Sequence, residues 1–117
     1  MALTLATEGQ ILLGIGLNAT AAQISGANIL IWGNYAESEM SKAAQVDLVA
    51  NYATINTYLK QWLAKIAVAG ASIEAINQNP NAWNLSVTQD KKNVHTNNWE
   101  RGLKDLEDRD VIARLGL

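Results

Sequence analysis

The sequence predicts an all-α fold, a small bundle of about four helices around a long central one. Two observations carry that prediction. Leu48, Tyr52, Ile55, Leu59, Trp62, Ile66, Ala69, Ile73 and Ile76 recur at alternating spacings of four and three. That is the period of one face of a helix and not of a strand. In addition, Thr7, Thr20 and Ser86 are each followed three places on by Gln, the form of a capping box at a helix start.

The first helix is expected from about Glu8 to Ile15, with Ile11, Leu12 and Leu13 as its apolar run and Gly14 and Gly16 at its end. The second opens at Thr20, runs to about Ala43, and carries Ile24, Ala27, Ile31 and Tyr35 at helical spacing. Gly26 and Gly33 lie inside it, each costing about 1 kcal/mol relative to Ala. Glycines kept in a helix at that cost point to close approach of a neighbour. Ile24, Ile29, Leu30 and Trp32 also spread apolar surface over more than one face, which needs cover on several sides. Gly26, Ile29, Leu30, Trp32 and Gly33 are therefore expected to form a subunit interface.

Gln45 and Val46 read as a joint, and Asp47 as the N-cap of the third helix. This helix carries the stripe, with Asn51, Asn56, Lys60 and Glu74 on its opposite face. Pro80 cannot continue it and pushes its predecessor out of the α region, so Asn77 to Leu85 reads as a loop. A fourth helix begins near Ser86. It is supported by the i,i+4 pairs Glu100/Lys104, Arg101/Asp105 and Asp105/Arg109, and His95, Trp99, Gly102 and Leu106 lie on one side of it. Val111 to Leu117 reads as a short tail.

A chain of 117 residues fits one domain, 1–117, with a single core. Net charge is −2, which argues against a basic nucleic-acid-binding surface. There is no Cys, so disulfides and thiolate metal sites are absent. No Lys or Arg precedes Lys42, so the basic start of a signal peptide is missing. Gly9 to Ala36 is uncharged, but Asn18, Gln23, Asn28 and Asn34 interrupt it. A membrane span needs about 20 predominantly apolar residues, and none is expected. Residues 90 to 114 hold 12 of the 20 charged side chains. The last helix is therefore expected to face solvent, and the others to pack.

No chemistry stands out. A P-loop reading of Gly9, Gly14 and Gly16 fails, because Ile15 and Gly16 stand where Lys and Ser or Thr are needed. His95 is the lone histidine, with Asp90 and Glu100 five positions away and turned from it. The acidic run at Asp105, Glu107, Asp108 and Asp110 alternates with basic residues and lacks the glycine turn of a calcium loop. Glu37 and Glu39 are two apart and point to opposite sides of a helix, about 160–200° around it. Trp32, Trp62 and Trp99 are read as packing residues. The expectation is of no enzyme, no cofactor and no metal.

Trp83 lies in an Asn-rich loop, where a large apolar residue needs a partner surface. Val111, Ile112, Leu115 and Leu117 follow the most charged helix in the chain. An end segment needs something to hold it. These four could fold back onto the domain's own helices or dock on a partner, and docking is expected because the charged stretch from Glu100 to Asp110 would hold the tail away from the core. Trp83 is open between its own domain and another chain, and is grouped with the tail as a docking residue.

The layout resembles the head–tail connector (adaptor) proteins of long-tailed bacteriophages. The likeness runs over most of residues 20 to 110. It rests on Asn34-Tyr35-Ala36-Glu37-Ser38-Glu39 in the early helix, on the long helix from Asn51 to Ile76, and on Trp99-Glu100-Arg101-Gly102-Leu103-Lys104-Asp105-Leu106. Trp99, Gly102, Leu103 and Leu106 match the family's run of an aromatic, then Ala or Gly with Leu, then Leu. The joint Ala43-Ala44-Gln45-Val46 departs from the family pattern. The resemblance implies a homo-oligomeric ring, twelvefold in the family, beneath the portal in the neck of the virion. Its implied partners are the portal protein and the next tail component, with DNA passing non-specifically through the channel. The competing reading is a small helical protein-binding regulator, an antitoxin-like module that docks a helix in a groove.

Overall fold

A computed structural model describes residues 3–15, 26–78 and 85–117, the side chains at 78 and 85–91 excepted. Among them are five α-helices and no strand: α1 (Glu8–Ile15), α2 (Gly26–Ala44), α3 (Thr57–Gln78), α4 (Leu85–Leu106) and α5 (Arg109–Arg114). The helix α3 packs against α1, α2 and α4, so it is the axis of the bundle.

Thr7 starts α1 as its sequence implies. Its Oγ1 accepts from Gln10 N at 3.1 Å, and Gln10 Oε1 accepts from Thr7 N at 2.9 Å. These bonds satisfy one donor at the helix start and the N–H just before it. The second capping box falls within 16–25 and lies outside the described residues. The third is displaced, because α4 already begins at Leu85 and Ser86 is inside its first turn.

The helix α2 ends at a Schellman motif. Gln45 takes a positive φ of 57°, its N–H bonds Lys42 O at 3.2 Å, and Val46 N bonds Ser41 O at 3.3 Å. That closure satisfies carbonyls of the last turn. Arg109 adds a charged donor there, bonding Ala44 O through Nη2 at 2.5 Å.

The long stripe is not one helix. Asp47 caps a single turn, accepting from Ala50 N at 3.0 Å. A short 3-10 turn follows at Tyr52–Thr54, and Ile55 is extended. Polar side chains make the break. Asn51 Nδ2 bonds Asp47 O and Thr54 Oγ1 bonds Asn51 O, both at 2.8 Å. Such local bonds offer the backbone an alternative to the helix. The stripe nevertheless stays inward across the break, with Leu48, Ile55, Ile66, Ala69 and Ile76 buried. Lys60 Nζ then sits 4.5 Å from the centre of the Tyr52 ring and ties the turn to α3.

The helices of the core meet at glycines. A β-carbon at Gly70 of α3 would lie 2.6–2.8 Å from the Trp99 ring of α4, and one at Gly102 of α4 would lie 2.6–2.8 Å from Ile66 of α3. Each helix thus lends a bare backbone to the other's large side chain. Between α1 and α3, a β-carbon at Gly14 would meet Val68 Cγ1 at 2.6 Å and Ser72 Oγ at 2.5 Å. Ser72 is fully buried, and its hydroxyl has no hydrogen-bond partner among the described residues.

The second helix turns a different side inward from the one its sequence suggests. Ile29, Trp32, Ala36 and Met40 are buried, while Ala27, Ile31 and Tyr35 are exposed. The segment Leu3–Ala6 decides this. Leu3 packs on bare Gly33, and the Glu37 carboxylate accepts from Thr4 N at 2.7 Å and from Leu5 N. Hydrogen bonds to a charged acceptor contribute about 1.5–3 kcal/mol each, enough to hold this strap across the helix.

The packing sets the outcome of three substitutions. Gly→Ala in a helix ordinarily gains about 1 kcal/mol. Gly9→Ala, where a β-carbon meets nothing closer than 3.9 Å, should show that gain in urea unfolding. Gly70→Ala should instead lose about 1–3 kcal/mol, because the Trp99 ring must move. Ser72→Ala should leave stability unchanged or raise it by about 1 kcal/mol, since it removes a buried hydroxyl without a partner. A loss of that size in calorimetry would show that the hydroxyl is bonded after all.

Candidate functional site

The expected docking tail belongs to the core. The charged helix α4 ends at buried Leu106, and Asp108 reverses the chain by capping α5, its carboxylate accepting from Asp110 N at 2.9 Å. The turn carries Ile112 and Leu115 back onto the bundle, where both are buried in the main cluster. Val111 and Leu117 are half-buried. Asn56 fastens the segment, its N–H bonding Leu115 O at 3.3 Å and its Nδ2 bonding Arg114 O at 2.6 Å. Docking through Ile112 and Leu115 is therefore corrected to self-packing. Charge on α4 does not hold the tail away, because the stop at Asp108 redirects it. Trp83 lies outside the described residues.

The expected subunit interface is also largely internal. Ile29, Trp32 and Gly33 are buried within the chain, Leu30 is half-buried, and Gly26 is exposed at the first position of α2. Apolar residues on several faces of a helix need several neighbours. Here its own chain supplies cover for one face through the strap at 3–6.

His95 is a strut. It is half-buried on α4, and its Nε2 donates to Gly14 O of α1 at 2.9 Å. Among the described residues no three His, Cys, Asp or Glu side chains are placed to hold a metal ion. Glu37 and Glu39 part as their spacing implies, Glu37 buried under the N-terminal strap and Glu39 exposed. The tryptophans Trp32, Trp62 and Trp99 pack on the core, the last two half-buried. No helix among the described residues is long and apolar enough to cross a membrane.

What the surface does present is a set of apolar side chains and two unlike clefts. Leu13 (84% exposed), Ile31 (48%), Tyr35 (59%), Tyr58 (73%) and Val94 (57%) stand out on four helices. One cleft, of about 280 Å³, opens between α2, α3 and α4, where Tyr35, Glu39, Glu74 and Trp99 line it over Gly70 and Ile73. Another, of about 120 Å³, lies between α3 and α4, with Trp62, Lys65, Asn98, Arg101 and Asp105 on its walls. The spacing of Ile31 and Tyr35 marks an apolar face of α2, but which face turns outward depends on the strap, and no local pattern announces that. Comparison with known protein families, curated proteins and solved structures returned no match.

If the tail is core, Leu115→Ala should cost about 2–5 kcal/mol, the range for a buried Leu. The drop should appear in the thermal midpoint of the isolated protein. An unchanged midpoint would return the tail to the role of a docking arm.

Proposed function

We propose that the chain is the repeating subunit of a homo-oligomeric ring, serving as a head–tail connector in the neck of a bacteriophage virion. The observation that carries the assembly is the exposed stripe on α2. Ile31 and Tyr35 stand one helical turn apart, and exposed Ala27 extends the line. An exposed apolar face of this kind marks an interaction site when it is contiguous. Leu13 and Val94 are exposed apolar side chains on other helices, α1 and α4. A ring needs two different surfaces on each subunit, because its interface is heterologous. The connector role rests on the sequence resemblance in α2, α3 and α4. A chain of net charge −2 suits a channel wall that does not grip passing phosphates.

In this reading the portal meets one end of the ring and the next tail component meets the other. Nothing in the role requires a cofactor or a reaction. Native mass is the test. The purified protein should sediment as a species of many copies, and electron micrographs should show rings with an open centre. The pair Ile31→Glu and Tyr35→Glu, both on exposed positions, should lower that mass while leaving helicity intact. A wild-type monomer or dimer at tens of micromolar would overturn the ring and favour the small binding module.

A further inference from the structure

The two unlike clefts suit each other. In the larger, two aromatic rings, Tyr35 and Trp99, stand with two carboxylates, Glu39 and Glu74. Among the described residues no cation lines it. Glu39 also borders a neighbouring cleft with Lys42 and Arg109, but Arg109 is bonded to Ala44 O. Aromatic faces beside carboxylates attract ammonium and guanidinium groups, by ring quadrupole and by charge together.

The smaller cleft carries the opposite sign. Lys65 and Arg101 stand there, both exposed, with Asp105 as its single anion. The two clefts lie on different flanks of α4, since Trp99 lines one while Asn98, Arg101 and Asp105 line the other. On α3, Lys65 and Glu74 are nine residues apart, which places them about 180° around the helix. Lys65 cannot reach across that distance to the acidic cleft of its own chain, and Lys42 and Arg109 border Glu39 only from the neighbouring cleft. The acidic cleft can close on Lys65 and Arg101 of the next chain.

We propose that the cleft of Tyr35, Glu39, Glu74 and Trp99 receives Lys65 and Arg101 of a second copy. This rests on the ring reading and supplies its contact. The contact joins the acidic flank of one copy to the basic flank of another; repeated in one direction it closes around an axis, made reciprocally it pairs two copies, and the ring reading takes the first. It is continuous with the exposed Ile31–Tyr35 stripe, because Tyr35 belongs to both. Charge complementarity here sets register and direction.

Charge reversal tests it. The four positions Glu39, Lys65, Glu74 and Arg101 are exposed, so their variants should keep the wild-type circular dichroism spectrum and thermal midpoint. One variant carries Glu39→Lys and Glu74→Lys, and the other carries Lys65→Glu and Arg101→Glu. Each alone brings like charges together at every contact and should weaken assembly at least about a hundredfold, leaving monomer in sedimentation. Mixed in equal amounts, the two have matched flanks again and should rebuild large species of alternating copies. If the wild type assembles but either variant alone does so equally well, the proposal is wrong and the ring stands on another contact. A mixture that stays monomeric beside an assembling wild type also overturns it. A monomeric wild type ends the ring reading itself, and this contact with it.

Discussion

The reciprocal fit between α3 and α4 is the constraint on which the rest depends. Trp99 lies on Gly70 and Ile66 lies on Gly102, so neither helix can shift along the other without a large side chain meeting backbone. Interiors are packed densely enough that such steps are felt at the scale of one methylene. The α1 contact at Gly14 repeats the arrangement on another side of α3. With those positions set, the clefts on the two flanks of α4 follow. The larger one has Trp99 on its wall because that half-buried ring is seated on Gly70 at the edge of the core.

Polar side chains then fasten what the helices leave loose. Glu37 holds the strap at 3–6, Asn56 holds the end of the chain, and Arg109 closes α2. Each reaches backbone groups distant in sequence, from the buried Leu5 N–H to the exposed Arg114 carbonyl. Leaving a buried group such as the Leu5 N–H unpaired costs several kcal/mol in an apolar setting. The strap and the tail are thus parts of the core boundary and not appendages.

Local signals in the sequence were sound where they depended on local physics. The Thr7–Gln10 capping box forms with both bonds, and α1 has the bounds its residues imply. The side of α4 bearing His95, Trp99, Gly102 and Leu106 does turn inward. The stripe keeps its inward face, but the helix beneath it is broken by Asn51 and Thr54, whose side-chain bonds a periodicity does not weigh. The orientation of α2 and the destiny of the tail were not legible. Both are set by contacts between residues tens of positions apart, Glu37 with Leu5 and Asn56 with Arg114. The acidic and basic clefts were hidden for the same reason, since each draws its residues from more than one helix.

The clasp between Asn56 and the chain's end bears on how this protein comes into being. Leu115 lies late in the chain, yet it closes over a core that includes Leu48 and Ile55. Chains are made from the N-terminus, at roughly 5–20 residues per second. The growing polypeptide therefore cannot finish this interior until the segment around Leu115 has been made. Until then the apolar residues beneath the tail are open to water and to other nascent chains. A copy not yet extended past Leu115 is missing this seal. Synthesis of that late segment and closure of the core are thereby linked.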